Sequence, residues 1–149
     1  MSTAALERTT SGLDFLRRIV AGEVAGVPVG ETMGFRLVEA ERGRVALRGT
    51  PDKRFYNLIG SVHGGWAAAI LDTALALSTL STLEADQSFT TVDIRVNYLR
   101  PMTGETGEVR AEGNVLQSGR RLAYAEAKLM DANGKLLCHG TGSCLILPR

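Results

Sequence analysis

Two features of the 149-residue chain stand out for the chemistry they allow. Asp72 is the one charge in a run of Ala, Leu and Ile, relieved only by Ser and Thr, between residues 66 and 80. On a helix its neighbours at i±3 and i±4 are Ala68, Ala69, Leu75 and Ala76, so the helix itself offers no basic partner. An ionised carboxylate in apolar surroundings is costly unless something outside the segment compensates it. The second feature is His63-Gly64-Gly65, placed where that helix should begin. Bare backbone N–H groups at a helix start form a ready anion site. A carboxylate two turns beyond such a cradle suits hydrolysis of an activated acyl group. The N–H groups would meet the developing oxyanion, and glycine would let a substrate approach the backbone. Asp72 would act as general base on water or as a nucleophile.

The helix carrying these groups, residues 66–83, is apolar all round and must therefore be wrapped by other structure. Ahead of it, residues 11–21 read as a short amphipathic helix, with Ser11 as cap, Leu13, Leu16, Ile19 and Val20 on one face, and Gly22 as stop. Residues 26–34, with Pro28 and three glycines, read as a connecting loop. Strands are expected at 35–41 and 44–48 about an Arg42-Gly43 turn, followed by an irregular loop at 51–61. Beyond the helix, residues 89–99 alternate Val92, Ile94, Val96 and Tyr98 against Thr91, Asp93, Arg95 and Asn97. Further strands are expected at 105–117, 120–131 and 135–147, the last two joined by Asn133-Gly134. Ala123, Ala125 and Ala127 share a face with Cys138, Gly140, Gly142 and Cys144 on the probable neighbour, so a helix can lie close against it. Strands in runs rather than alternating with helices make the class α+β, in one domain over 1–149 with residues 1–33 as its N-terminal helix and loop.

A chain that is 44% hydrophobic and 22% charged is globular. Its formal net charge of +1 argues against a general nucleic-acid or membrane-surface binder. Asp72 and the hydroxyl residues argue against a membrane span. Cys138 and Cys144, six residues apart on one strand, lie about 20 Å apart, beyond disulfide reach. With no apolar leader in the first ten residues, a reduced, cytoplasmic protein is expected. Two histidines and two cysteines form no recognisable metal pattern.

The order β-β-α-β-β-β-β, with Asn57, His63-Gly64-Gly65 and Asp72 leading into the central helix, resembles the hotdog fold. More narrowly, it resembles the acyl-CoA thioesterases of the phenylacetic-acid-degradation and 4-hydroxybenzoyl-CoA type, over roughly residues 34–146. The resemblance implies an antiparallel sheet wrapped around a long helix, and hydrolysis of an acyl-CoA whose coenzyme A is part of the substrate, with no separate cofactor. By the same resemblance Asp72 matches the catalytic carboxylate, its being Asp rather than Glu favouring the phenylacetyl-CoA-like branch. Gly64 matches the glycine whose N–H polarises the thioester carbonyl. Asn57 matches an asparagine that orients water or carbonyl, and Thr91 a hydroxyl that holds the nucleophilic water. Gly65 continues the cradle, and Ser118-Gly119-Arg120-Arg121 lies where relatives contact CoA. The family also implies a homodimer, often a dimer of dimers, whose active sites are built across two subunits.

Plainer roles stand beside these. Asp72 can be a structural aspartate paired with an Arg from another strand, His63 either a direct catalytic residue or one holding the glycine turn, and Asn57 a loop stabiliser. Trp66 reads equally as packing or acyl-pocket lining, and His139 as structural. Arg120 and Arg121, adjacent in an expected strand, should point to opposite faces, so that at most one meets a phosphate. A hotdog hydratase or dehydratase would need a His paired with a carboxylate, and a non-catalytic acyl-CoA sensor would be expected to carry a helix-turn-helix.

Overall fold

The structure, a computed structural model, describes residues 9–149; residues 1–8, part of the segment read as lacking a leader, lie outside that range. Its elements are α1 (Gly12–Val20), α2 (Pro28–Met33), β1 (Phe35–Glu41), β2 (Arg44–Gly49), a 3-10 turn (Lys53–Phe55), α3 (Gly64–Leu80), β3 (Gln87–Tyr98), β4 (Val109–Ser118), β5 (Leu122–Met130) and β6 (Leu136–Pro148). The strands form one sheet in the order β1-β2-β4-β5-β6-β3, antiparallel throughout, which leaves β1 and β3 at its edges. The sheet wraps α3, the hotdog architecture that the resemblance implies.

Side-chain size decides how close that helix lies. Ala123, Ala125 and Ala127 of β5 face Cys144, Gly142 and Gly140 of β6, and all six are buried. On β4 the approach is tighter still: a Cβ on Gly113 would stand 2.1 Å from the Ala74 carbonyl oxygen of α3. Helix and sheet touch through backbone, so the helix sinks until Ile70, Leu71, Ala74 and Leu75 are sealed from solvent. Trp66 is buried as packing, edge-on to Phe35 and with its indole N–H donated to the Met33 carbonyl at 2.8 Å. Among the described residues no helix is long and apolar enough to cross a membrane.

Four expectations need correction. Residues 26–34 are not all loop, because α2 occupies most of them. Pro28 stands near the helix start, where its missing N–H costs nothing, and Gly34 closes it at φ 77°. The punctuation read as loop is the two ends of a helix. The strand expected from residue 105 begins at Val109, after a turn in which Thr106 donates its N–H to the Thr103 carbonyl. The strand expected from residue 120 begins at Leu122, so Arg120 and Arg121 lie in the β4–β5 turn and strand parity does not separate them.

The fourth correction bears on the site. β3 does not alternate unbroken, for its pairing with β6 shifts between Thr91 and Asp93 and leaves Val92 as a bulged residue, 60% exposed. Inward residues therefore run Phe89, Thr91, Ile94 and Val96, and Thr91 changes to the helix-facing side. Because the small inner face sets the fold, Gly113→Ala should destabilise the protein by about 1–3 kcal/mol or more, read as a lower midpoint of chemical unfolding.

Candidate active site

The start of α3 is built by its own sequence. His63 is the N-cap in extended conformation, and its Nδ1 accepts the Gly65 N–H at 2.8 Å. That bond requires Nδ1 to be unprotonated, so the neutral ring carries its hydrogen on Nε2. The ring lies so close that a Cβ on Gly65 would meet Nδ1 at 2.9 Å. Gly64 is constrained from the other side, since a Cβ there would stand 3.0 Å from the Tyr98 ring, whose hydroxyl donates to the Gly64 carbonyl at 3.0 Å. The Gly64 N–H has no acceptor among the described residues. Of the two glycine N–H groups, one is capped and the other is open.

Asn57 locks the loop that leads into this start. Its side-chain carbonyl accepts the N–H groups of Ile59 (3.0 Å) and Ser61 (3.2 Å), while its amide donates to the Ser61 hydroxyl at 3.0 Å. The loop-stabilising role is therefore present, and one amide hydrogen remains. At the loop tip Leu58 and Ile59 are almost wholly exposed, at 106% and 89%.

Two turns along α3, Asp72 is half-buried on the strip of the helix that Ala68 and Ala69 also leave partly open. The Thr91 hydroxyl donates to its Oδ1 at 3.1 Å. No Arg, Lys or His is ion-paired with it among the described residues, so the structural-aspartate reading, which needs an arginine, is not what the chain builds. His63 and Asp72 make no hydrogen bond to each other, so the His–carboxylate pair of a hydratase is not formed within the chain. His139 instead bonds Glu126 at 3.0 Å on the outer face of the sheet.

The structure thus gathers Asn57, His63, Gly64 and Gly65 at the helix start, and Asp72 with Thr91 two turns on. Ser118, Gly119, Arg120 and Arg121 lie apart, at the β4–β5 turn. Arg120 and Arg121 line one cleft of about 490 Å³ with Asp86, Gln87 and Leu147. A second cleft, of about 290 Å³, opens beside Gly64, walled by Tyr98, Val62, Ala67, Met102 and Cys138. Burial pushes the Cys138 thiol up to about 11 and raises the Tyr98 phenol, so both keep their hydrogens near neutrality. Sequence reasoning missed Tyr98, whose place in an alternating strand gives no sign that its hydroxyl reaches the helix start.

A model of the thioesterase superfamily matches residues 59–138, which span the helix start, Asp72 and Thr91. Acyl-coenzyme A thioesterase 13 of Homo sapiens is 31% identical over 106 residues, 70% of this chain and 74% of that protein. The 1,4-dihydroxy-2-naphthoyl-CoA hydrolase of Listeria monocytogenes is 25% identical over 108 residues, 72% of this chain and 86% of its own. Among solved structures, a phenylacetic acid degradation-related protein of Ralstonia eutropha superposes with a TM-score of 0.78 at 28% identity, over 88% of this chain and 98% of that one.

The cap gives a test that does not depend on substrate. His63→Ala should cost about 0.5–2 kcal/mol of stability, while His63→Asn, which restores a short capping acceptor, should recover most of it in the same unfolding measurement.

Proposed function

The chain belongs to the thioesterase superfamily, and we propose that, as a thioester hydrolase of that family, it converts an acyl- or aryl-acyl-CoA to the free acid and CoA, with Asp72 as the reacting carboxylate. The observation that carries this reading is the setting of Asp72. It is a carboxylate on an apolar helix, reachable along one open strip, with a neutral hydroxyl beside it instead of a cation. A carboxylate so placed keeps its lone pairs for chemistry.

In the first route Asp72 takes a proton from a water while the water oxygen attacks the thioester carbonyl carbon. The Gly64 N–H holds the oxyanion that forms. Collapse breaks the carbon–sulfur bond, and the departing thiolate recovers the proton from Asp72. In the second route an Asp72 oxygen attacks directly, expels the CoA thiolate and leaves a mixed anhydride for water to hydrolyse. Thr91 holds Asp72, or the water beside it, in either case. His63 serves by fixing the glycine turn, and Asn57 by fixing the loop and offering its remaining amide hydrogen.

Gly64 and Asp72 are eight residues apart on one helix, about 12 Å along its axis. One thioester carbon does not reach both in the same chain. A homodimer removes the difficulty if Asn57, Gly64 and Gly65 of one copy face Asp72 and Thr91 of its mate, an isologous arrangement that would extend to a dimer of dimers. The unpaired edge of β3 and the exposed Leu58 and Ile59 are consistent with such a partner. At the far end, Arg120 and Arg121, together with Ser118 and Gly119, would meet the CoA phosphates.

A panel of phenylacetyl-, 4-hydroxybenzoyl- and octanoyl-CoA, followed by free-thiol release, should reveal turnover and rank the acyl groups. Asp72→Asn should lower kcat by at least about 100-fold while leaving the fold intact. Refolding it in equal amounts with inactive Asn57→Ala should restore roughly a quarter of the sites, because heterodimers place both lesions in one site and none in the other. Heterodimers without recovered activity would defeat the shared site. Near-normal turnover by Asp72→Asn would defeat its catalytic role.

For the CoA end, Arg120→Ala and Arg121→Ala should raise KM for a CoA thioester more than they lower kcat. The corresponding pantetheine thioester should be unaffected, and an equal effect on both substrates would remove the phosphate contact.

A further inference from the structure

Behind Thr91 lies a group that the mechanism does not use. Cys144 of β6 is fully buried and stands directly across the β3–β6 ladder from Thr91, both side chains turned toward α3. From the helix side, the Thr79 hydroxyl closes the same corner. Thr79 has already committed its hydrogen to the Leu75 carbonyl at 3.1 Å, just as Thr91 has committed its own to Asp72. Both hydroxyls therefore present only lone pairs to the thiol, and the one hydrogen left to donate in this corner is that of the sulfur. Burial raises the Cys144 thiol, the Thr79 and Thr91 hydroxyls beside it pull it down, and the nearby Asp72 and Asp93 carboxylates push it up again; the balance is upward, so the sulfur keeps that hydrogen near neutrality.

A threonine hydroxyl rotates freely among three positions, and only one of them aims its hydrogen at Asp72. Something must select that position before a substrate arrives. A donor seated on the threonine oxygen does so, and it also polarises the hydroxyl toward the carboxylate. We propose, resting on the role given above to Asp72, that Cys144 is a positioning residue: its S–H donates to the Thr91 oxygen and so holds the Thr91 hydrogen on the Asp72 carboxylate. The sulfur touches neither substrate nor water. It acts only through Thr91.

Acting through one intermediary gives the proposal a signature that packing does not share. Cys144→Ala should lower kcat about 2- to 12-fold, the factor that corresponds to the net worth of one hydrogen bond, with KM changed less than about twofold. Cys144→Ser, which keeps a donor, should stay within about twofold of wild type in kcat. In a Thr91→Val background the Cys144→Ala change should cost nothing further, because the intermediary is gone. The assay uses whichever of phenylacetyl-, 4-hydroxybenzoyl- or octanoyl-CoA the wild type turns over fastest. Independently of activity, the S–H stretching band assigned to Cys144 by its loss in Cys144→Ala should move to higher frequency in Thr91→Val, a nearly isosteric change that retains the fold. The same loss from Cys144→Ala in both backgrounds, or an S–H band unmoved by Thr91→Val, would overturn the proposal. Failure of the underlying catalytic reading shows elsewhere, as near-normal turnover by Asp72→Asn.

Discussion

Backbone-to-backbone contact between α3 and the sheet is the constraint from which the remaining structure follows. At Gly113 the strand backbone meets the Ala74 carbonyl of the helix directly, Gly140 and Gly142 leave room for Leu71 and Leu75, and the helix lies in the concave face. That depth turns an apolar helix into the core. It also brings Thr91 within hydrogen-bond distance of Asp72 and the Tyr98 hydroxyl onto the Gly64 carbonyl. A larger inner face would lift the helix, and the hydroxyls that meet its polar groups would no longer reach. The electrostatics of the site are in this sense a product of packing.

The two glycines at the helix start illustrate how closely function and packing are interlocked. A side chain on Gly64 would crowd the Tyr98 ring and one on Gly65 the His63 ring, before any substrate is considered. A loss of activity on replacing either is therefore not by itself evidence for contact with a substrate. The division of labour between their N–H groups is more telling: the His63 ring consumes one, and the chain leaves the other open.

Much of this was legible in the sequence because the informative residues are out of place for their surroundings. A carboxylate in an apolar run, paired glycines at a helix start and a small-residue face on two neighbouring strands each contradict what a bland core would contain. What was not legible depended on geometry that residue types do not encode. Pro28 and Gly34 read as loop markers because the short helix between them, PVGETM, has no amphipathic period to announce it. Arg120 and Arg121 read as strand residues because nothing in the sequence marks where the turn ends. Thr91 was reached only by resemblance, since strict alternation would have put it on the outer face. Cys144 read as one more small core residue, its partner across the ladder being invisible without the register.

The bulge at Val92 has one more effect, and it concerns the protein's behaviour in a crowded solution. An edge strand of twelve residues offers an unpaired row of N–H and C=O groups on which other chains can add, and natural proteins guard such edges. The extra residue interrupts that row near its middle, and Asp93 and Arg95 place opposite charges just beyond the interruption. No foreign strand can run in register along the whole edge. The irregularity that turns one hydroxyl toward the carboxylate thus also makes the sheet a poor template for open-ended growth, and leaves its edge to a partner shaped to accept the break.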